Sequence, residues 1–211
     1  PAGGNQVADF WNLTNTGMYI IVPVANDTTL KNGTVQLYGK VGSNNFEVLG
    51  NISTILPSEI NADKTISITG DLIEGLTGFA EGQTIYIKAI MNDRPGNSKE
   101  GSQSITEILI DETPATITPI SILSNNNNSS LAKVGDSVTV SFSTSESLID
   151  TLVKIEEQLA IVSGLGSNQF IGVYEMGEAN TEGIVPFEIS FIDFQGNPFT
   201  ISDSTTDASQ V

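Results

Sequence analysis

Side-chain oxygen is the one chemistry this sequence offers in quantity. Twenty-five Asp and Glu residues outnumber eight Lys and Arg residues, and the 211-residue chain has no His and no Cys. Without those two types there is no zinc site of the usual kind and no Cys-His or Ser-His nucleophile. There are also no disulfides, and no haem or iron–sulfur ligation by those residues. A formal charge of −17 excludes a nucleic-acid binder, which needs a basic face to displace counterions. Two adjacent carboxylates, Glu156 and Glu157, invite a glycosidase reading. Neighbours on a strand point to opposite faces, however, and acid–base hydrolysis needs two carboxyls about 5–10 Å apart across one cleft. There is no phosphate-binding glycine loop and no G-x-S-x-G elbow. The sequence reads as no enzyme.

Calcium is the chemistry that remains, since it takes six to eight oxygens from carboxylates, amides and backbone carbonyls. The acids and amides recur in a spaced motif. D-x-x-G-N occupies Asp93 to Asn97 and again Asp193 to Asn197, 100 residues apart. Each copy follows an apolar run, Thr84 to Ile90 in one case and Val185 to Ile192 in the other. The same spacing also makes a good type I turn, with Asp opening it and Gly near its end. Neither the spacing of an EF-hand nor the nonapeptide repeat of a calcium β-roll is present.

The elements that position these residues are strands. Val138, Val140 and Phe142 alternate with Ser and Thr, and Val185, Phe187, Ile189 and Phe191 repeat the pattern. In the first half Val35, Leu37 and Val41 alternate with Gln36, Tyr38 and Lys40, followed by Ile66, Ile68, Ile85 and Ile87. Period two marks half-buried strands, and Asn-Gly and Gly-Ser turns separate them. One or two helical turns are predicted at Asp71 to Leu76, where a sandwich crosses between its sheets. Lone Trp11 is expected to plug a core. The reading is all-β, with two tandem immunoglobulin-like β-sandwich domains at residues 1–112 and 113–211. The first carries 13 acidic and 6 basic residues, the second 12 and 2. Like-charged modules in series repel and stay soluble.

The second half carries Asp111 to Pro114, Val134 to Asp136, Phe142 to Glu146, Glu182 with Gly183, and Asp193 to Asn197. With these residues it resembles the immunoglobulin-like (Big-type) repeats of large bacterial surface and adhesin proteins. The first half shares Asp93 to Asn97, Ile110 and Asp111, with its own insert around residues 51–82. The resemblance implies an extracellular, cell-surface location and a structural spacer or stalk role. Neighbouring repeats or identical subunits are the implied partners. The alternatives are a self-assembling subunit of a fibre or surface layer, pairing through the arm from Pro1 to Trp11, and a carbohydrate- or receptor-binding module with host-surface or matrix glycans as its partners. No segment is apolar enough over 18 residues to insert in a membrane as a helix. Sandwich topology gathers the N-terminus with the B–C and F–G loops at one end. Calcium is therefore expected between Asp111, Glu112, Glu146, Asp193 and Asn197, with Asp27, Asp93 and Asn97 as the matching set on the first domain. N-x-[ST] sequons begin at Asn12, Asn26, Asn32, Asn51, Asn127 and Asn128.

Overall fold

The computed structural model describes every residue from Pro1 to Val211. It divides into two compact units, Pro1–Thr113 and Pro114–Val211, each with its own core. No helix is long and apolar enough to cross a membrane.

The strands of the first unit are β1 (Phe10–Trp11), β2 (Gly17–Pro23), β3 (Thr34–Val41), β4 (Glu47–Thr54), β5 (Asp63–Thr69), β6 (Thr84–Asn92), β7 (Ser98–Glu100) and β8 (Ile108–Ile110). One sheet runs β1-β8-β6-β3-β4, with β7 also on β6; the other is the pair β2-β5. Alternation builds both sheets. Val35, Leu37 and Val41 of β3 and Ile85 and Ile87 of β6 turn inward to meet Met18 and Val22 of β2 and Ile66 and Ile68 of β5. Each aliphatic side chain so buried contributes roughly 1.5–3 kcal/mol. Trp11 is fully buried in the same core. The predicted helix is α1 (Gly70–Glu74), at the crossing from β5 to β6; it buries Ile73, and Leu76 just beyond it is buried too. Its backbone ends at Gly75.

The second unit contains β9 (Ile117–Ser124), β10 (Ser137–Thr144), β11 (Leu148–Ile155), β12 (Gln158–Leu159), β13 (Ile161–Gly166), β14 (Gln169–Glu175), β15 (Phe187–Asp193) and β16 (Pro198–Ser202). Its sheets are β13-β14-β10-β9 and β12-β11-β15-β16. In chain order that is the A-B-E-D and C′-C-F-G arrangement of an immunoglobulin-like sandwich. Val138, Val140 and Phe142 on one sheet and Phe187, Ile189 and Phe191 on the other close the core. At Gly172 the sheets approach so closely that a Cβ would lie 2.7 Å from the Val153 side chain.

Glu156 and Glu157 are not on a strand. They are the two central residues of the tight turn joining β11 to β12, with φ of 52° and 59°. The twist of the flanking strands demands positive φ at both positions, where Asn-Gly is the usual solution. Glu156 Oε2 accepts the Thr181 N–H and hydroxyl.

Candidate functional site

Both D-x-x-G-N segments close a hairpin by the same means. Gly96 and Gly196 adopt φ of 102° and 100°, a region that favours glycine. Asp93 N–H donates to the Asn97 carbonyl, and Asp193 N–H to the Asn197 carbonyl. The aspartate side chain then folds over the turn. Asp93 Oδ1 accepts the Gly96 and Asn97 N–H groups at 2.8 and 2.6 Å, and its Oδ2 accepts the Asn97 amide at 2.7 Å. Asp193 Oδ1 accepts the Gln195 and Asn197 N–H groups at 3.1 and 2.8 Å. The repeated motif is thus a repeated turn.

Burial separates the copies. Asn97 is exposed, whereas Asp193 and Asn197 are both 0% exposed. The second carboxylate oxygen of Asp193 accepts the N–H of Ala115, at the start of the unit, at 3.2 Å. The first segment, the β10–β11 loop and the turn are tied further. Thr116 N–H donates to Ser145 Oγ, Ser145 N–H to the Thr116 carbonyl, and Phe194 N–H to the Ser147 carbonyl. This end of the second unit gathers Asp193, Asn197 and the loop that carries Glu146, whose carbonyl accepts the Thr144 hydroxyl. In the first unit Asp27 Oδ1 accepts the Thr29 N–H and hydroxyl, which hold its carboxyl below the usual aspartate range. Arg94 N–H donates to the Thr29 carbonyl, so the loop of Asp27 adjoins the turn of Asp93.

Asp111 and Glu112 belong to the first unit. Asp111 N–H donates to the Trp11 carbonyl, and Asp111 Oδ1 accepts the Thr113 N–H. Glu112 N–H donates to Glu81 Oε2 at 2.9 Å. Burial, then repulsion from Glu74 and Glu81, pushes the Glu112 carboxyl above its ordinary range, and the indole of Trp11 opposes that push. Glu74 and Glu81 were not singled out in the sequence, because only the fold brings them to the end of β8. No group of three carboxylates converges in a form able to hold a metal ion. The sequons differ in access: Asn12 is fully buried, its amide donating to the Asn5 carbonyl, while Asn26, Asn32, Asn51, Asn127 and Asn128 are exposed.

The first and last segments of each unit form the other notable geometry. In the first unit β1 lies parallel to β8, with Phe10 beside Leu109 and Trp11 beside Ile110. Leu109 N–H donates to the Asp9 carbonyl at 2.9 Å, and Asp111 N–H to the Trp11 carbonyl at 2.8 Å. In the second unit the segment after β16 runs along the edge of β9 in the same direction. Ile120 N–H donates to Thr206 Oγ1 and Ile122 N–H to Ser209 Oγ, both at 2.9 Å. Thr206 N–H returns a bond to the Ile120 carbonyl. Val211 is buried in the core, its carbonyl accepting the Val185 N–H.

No protein-family model matches the sequence, and no curated protein matches it. Among solved structures the chain aligns with a marsupial T cell receptor at 9% identity and a TM-score of 0.35, over 96% of this chain and 92% of that one. That likeness is too slight to argue from. The immunoglobulin-like assignment stands on the strand order and the paired cores described above.

Proposed function

We propose that the chain is a non-enzymatic structural segment, two immunoglobulin-like modules built to carry tension within a bacterial surface or secreted protein. The observation that supports this is the side-by-side, same-direction course of each unit's first and last segments. Pull such a unit by its two ends and those segments slide past each other. Their hydrogen bonds are loaded together, in shear, rather than one after another as when a hairpin unzips. The Asp193 hydrogen bonds to Ala115, Gln195 and Asn197 add a second hold where the second unit begins. Stretching the chain from its ends in a force spectrometer tests the reading. Two separate high-force unfolding events are expected, and release of either unit at the low force of an unzipping hairpin would reject it.

An extracellular setting and neighbouring repeats as partners belong to the same proposal. Calcium is the cation proposed for the acidic turns, within the set Asp27, Asp93 and Asn97 and the set Glu146, Asp193 and Asn197. Both aspartate turns already receive three N–H bonds each, so the turns hold their shape without a metal. A cation would add to them through remaining oxygens. Melting in millimolar calcium and in chelator tests this, and equal transitions in both would remove calcium from the proposal.

A further inference from the structure

The two units differ at one sheet edge. In the second, β10 has β9 along its outer side for nearly its whole length. In the first, the corresponding strand β2 pairs only with β5, and Ala2 makes a single bridge to Gly17. The hydrogen bonds alternate. The Thr16 carbonyl and the backbone groups of Met18, Ile20 and Val22, with the Val24 N–H, face β5, as the Gly70-to-Thr16 and Val24-to-Ala62 bonds at the two ends of the ladder require. Tyr19 and Ile21 therefore point their N–H and C=O groups off the edge, and no strand receives them. Beside this edge lies a groove of about 990 Å³ between β2 and β6–β7, floored by Met18, Ile20, Leu37, Ile87, Ala89 and Met91.

We propose that this groove is an acceptor site for an extended peptide strand, apolar at alternate residues and basic at its N-terminal end, lying antiparallel to β2. The Ala2–Gly17 bridge fixes the register. A strand continuing that pairing runs from the Pro23 end of β2 toward Pro1, and its residues opposite Ile20 and Val22 face the groove. The second unit shows the same geometry filled. There Ile122 lies opposite Val140 and Ile120 opposite Phe142, and both isoleucines are 1% exposed. Charge sets the polarity of the partner. The strand's N-terminal end emerges by Asp27 and Asp93, which line that end of the groove. Over the whole lining Asp9, Asp27, Asp93 and Glu100 outnumber Lys88 and Lys99, and Lys88 is committed to Glu100. Backbone bonds to the free edge would supply affinity and the alternate apolar residues selectivity.

The test uses the whole 211-residue chain and the peptide Lys-Lys-Thr-Ile-Ser-Ile-Leu, both free and fused directly ahead of Pro1. The fusion places its isoleucines opposite Val22 and Ile20. The fusion is expected to slow amide exchange at Tyr19 and Ile21 by about tenfold or more and to raise the melting transition seen by Trp11. The free peptide is expected to bind saturably. Ile21→Pro removes an N–H that points away from β5 and leaves the β2–β5 ladder intact, so it should weaken the free peptide by about tenfold without unfolding the unit. A peptide with the same residues scrambled to lose alternation should bind no better than that variant. Three results would overturn the proposal. One is unchanged exchange at Tyr19 and Ile21 in the fusion. Another is peptide binding indifferent to Ile21→Pro and to scrambling. The third is a concentration-dependent dimer abolished by Ile21→Pro, which would give the edge to a second copy.

Discussion

Replacing Asp193 with Ala should cost the second unit far more than replacing Asp93 costs the first, although the two residues open the same turn. Asp193 is fully buried and satisfies three N–H groups, those of Ala115, Gln195 and Asn197. Ala115 and Asn197 are buried as well. A buried donor stripped of its acceptor costs about 1–3 kcal/mol. With partial relaxation, the Asp193→Ala loss comes to about 3–5 kcal/mol. For a domain of this size each kcal/mol moves the midpoint by about 4–8 °C, so a fall of roughly 12 °C or more is expected. At Asp93 the turn is open to water, which replaces the lost acceptor, and about 0.5–1 kcal/mol is expected. Asp193→Asn keeps one acceptor oxygen but turns an amide toward the Ala115 N–H, and should fall between the two. Calorimetry of the whole chain reads both units, and the fluorescence of Trp11, the only tryptophan, assigns the first. Equal costs for Asp93→Ala and Asp193→Ala would refute the reasoning, because burial would then not govern what the carboxylate is worth.

Three further outcomes are expected. Glu157→Gly should stabilise the second unit by about 1 kcal/mol in chemical denaturation, since Glu157 sits at φ 59° and glycine adopts that region without strain. Gly172→Ala should destabilise it by about 1–3 kcal/mol by the same measurement, because the new methyl would meet Val153 at 2.7 Å and force the sheets apart. The pH dependence has two signs. Asp136, held down by the Asn126 amide and the Lys133 N–H, and Asp207, held down by the Ser209 hydroxyl and N–H, stabilise at neutral pH; that contribution fades as pH falls below the ordinary aspartate value of 3.8. Glu112, whose carboxyl is raised above 4.5, contributes in the opposite sense: its protonated form suits the fold, and that contribution is lost as pH rises through its pKa. Glu112→Gln should therefore raise the Trp11-detected midpoint at pH 7, by an amount that solvent screening keeps to about 0.5 kcal/mol, and the gain should vanish below pH ~4.

Much of the fold was legible because one face of most strands is buried. Val138, Val140 and Phe142 declare β10 by alternation alone, as Val35, Leu37 and Val41 declare β3. Where an edge strand buries little, the signal goes: β13 shows an almost wholly exposed Ile-Val-Ser-Gly-Leu-Gly and gives no period. Glu156 and Glu157 read as strand because nothing in their chemistry announces a turn with positive φ. The D-x-x-G-N turns could be read locally, since the aspartate binds its own turn. What could not be read was burial, since only tertiary packing brings Ala115 to Asp193 and leaves Asn97 in water. The open edge of β2 was likewise hidden, because an unpaired strand has the same sequence pattern as a paired one. The side-by-side course of each unit's first and last segments was beyond local reading too, as it joins residues about 100 positions apart in β1 and β8.

The tension-bearing role is tested most directly by pulling the chain from its ends with and without Leu109→Pro. Leu109 N–H donates to the Asp9 carbonyl of the first segment, so this change removes one rung between β1 and β8 and leaves in place the bonds of Ile110, whose N–H donates to the Gln83 carbonyl and whose carbonyl accepts the Gly82 N–H. A clear fall in the unfolding force of the first unit is predicted, with the second unit unchanged and the Trp11-detected melting midpoint little moved. An unchanged force for the first unit would contradict it.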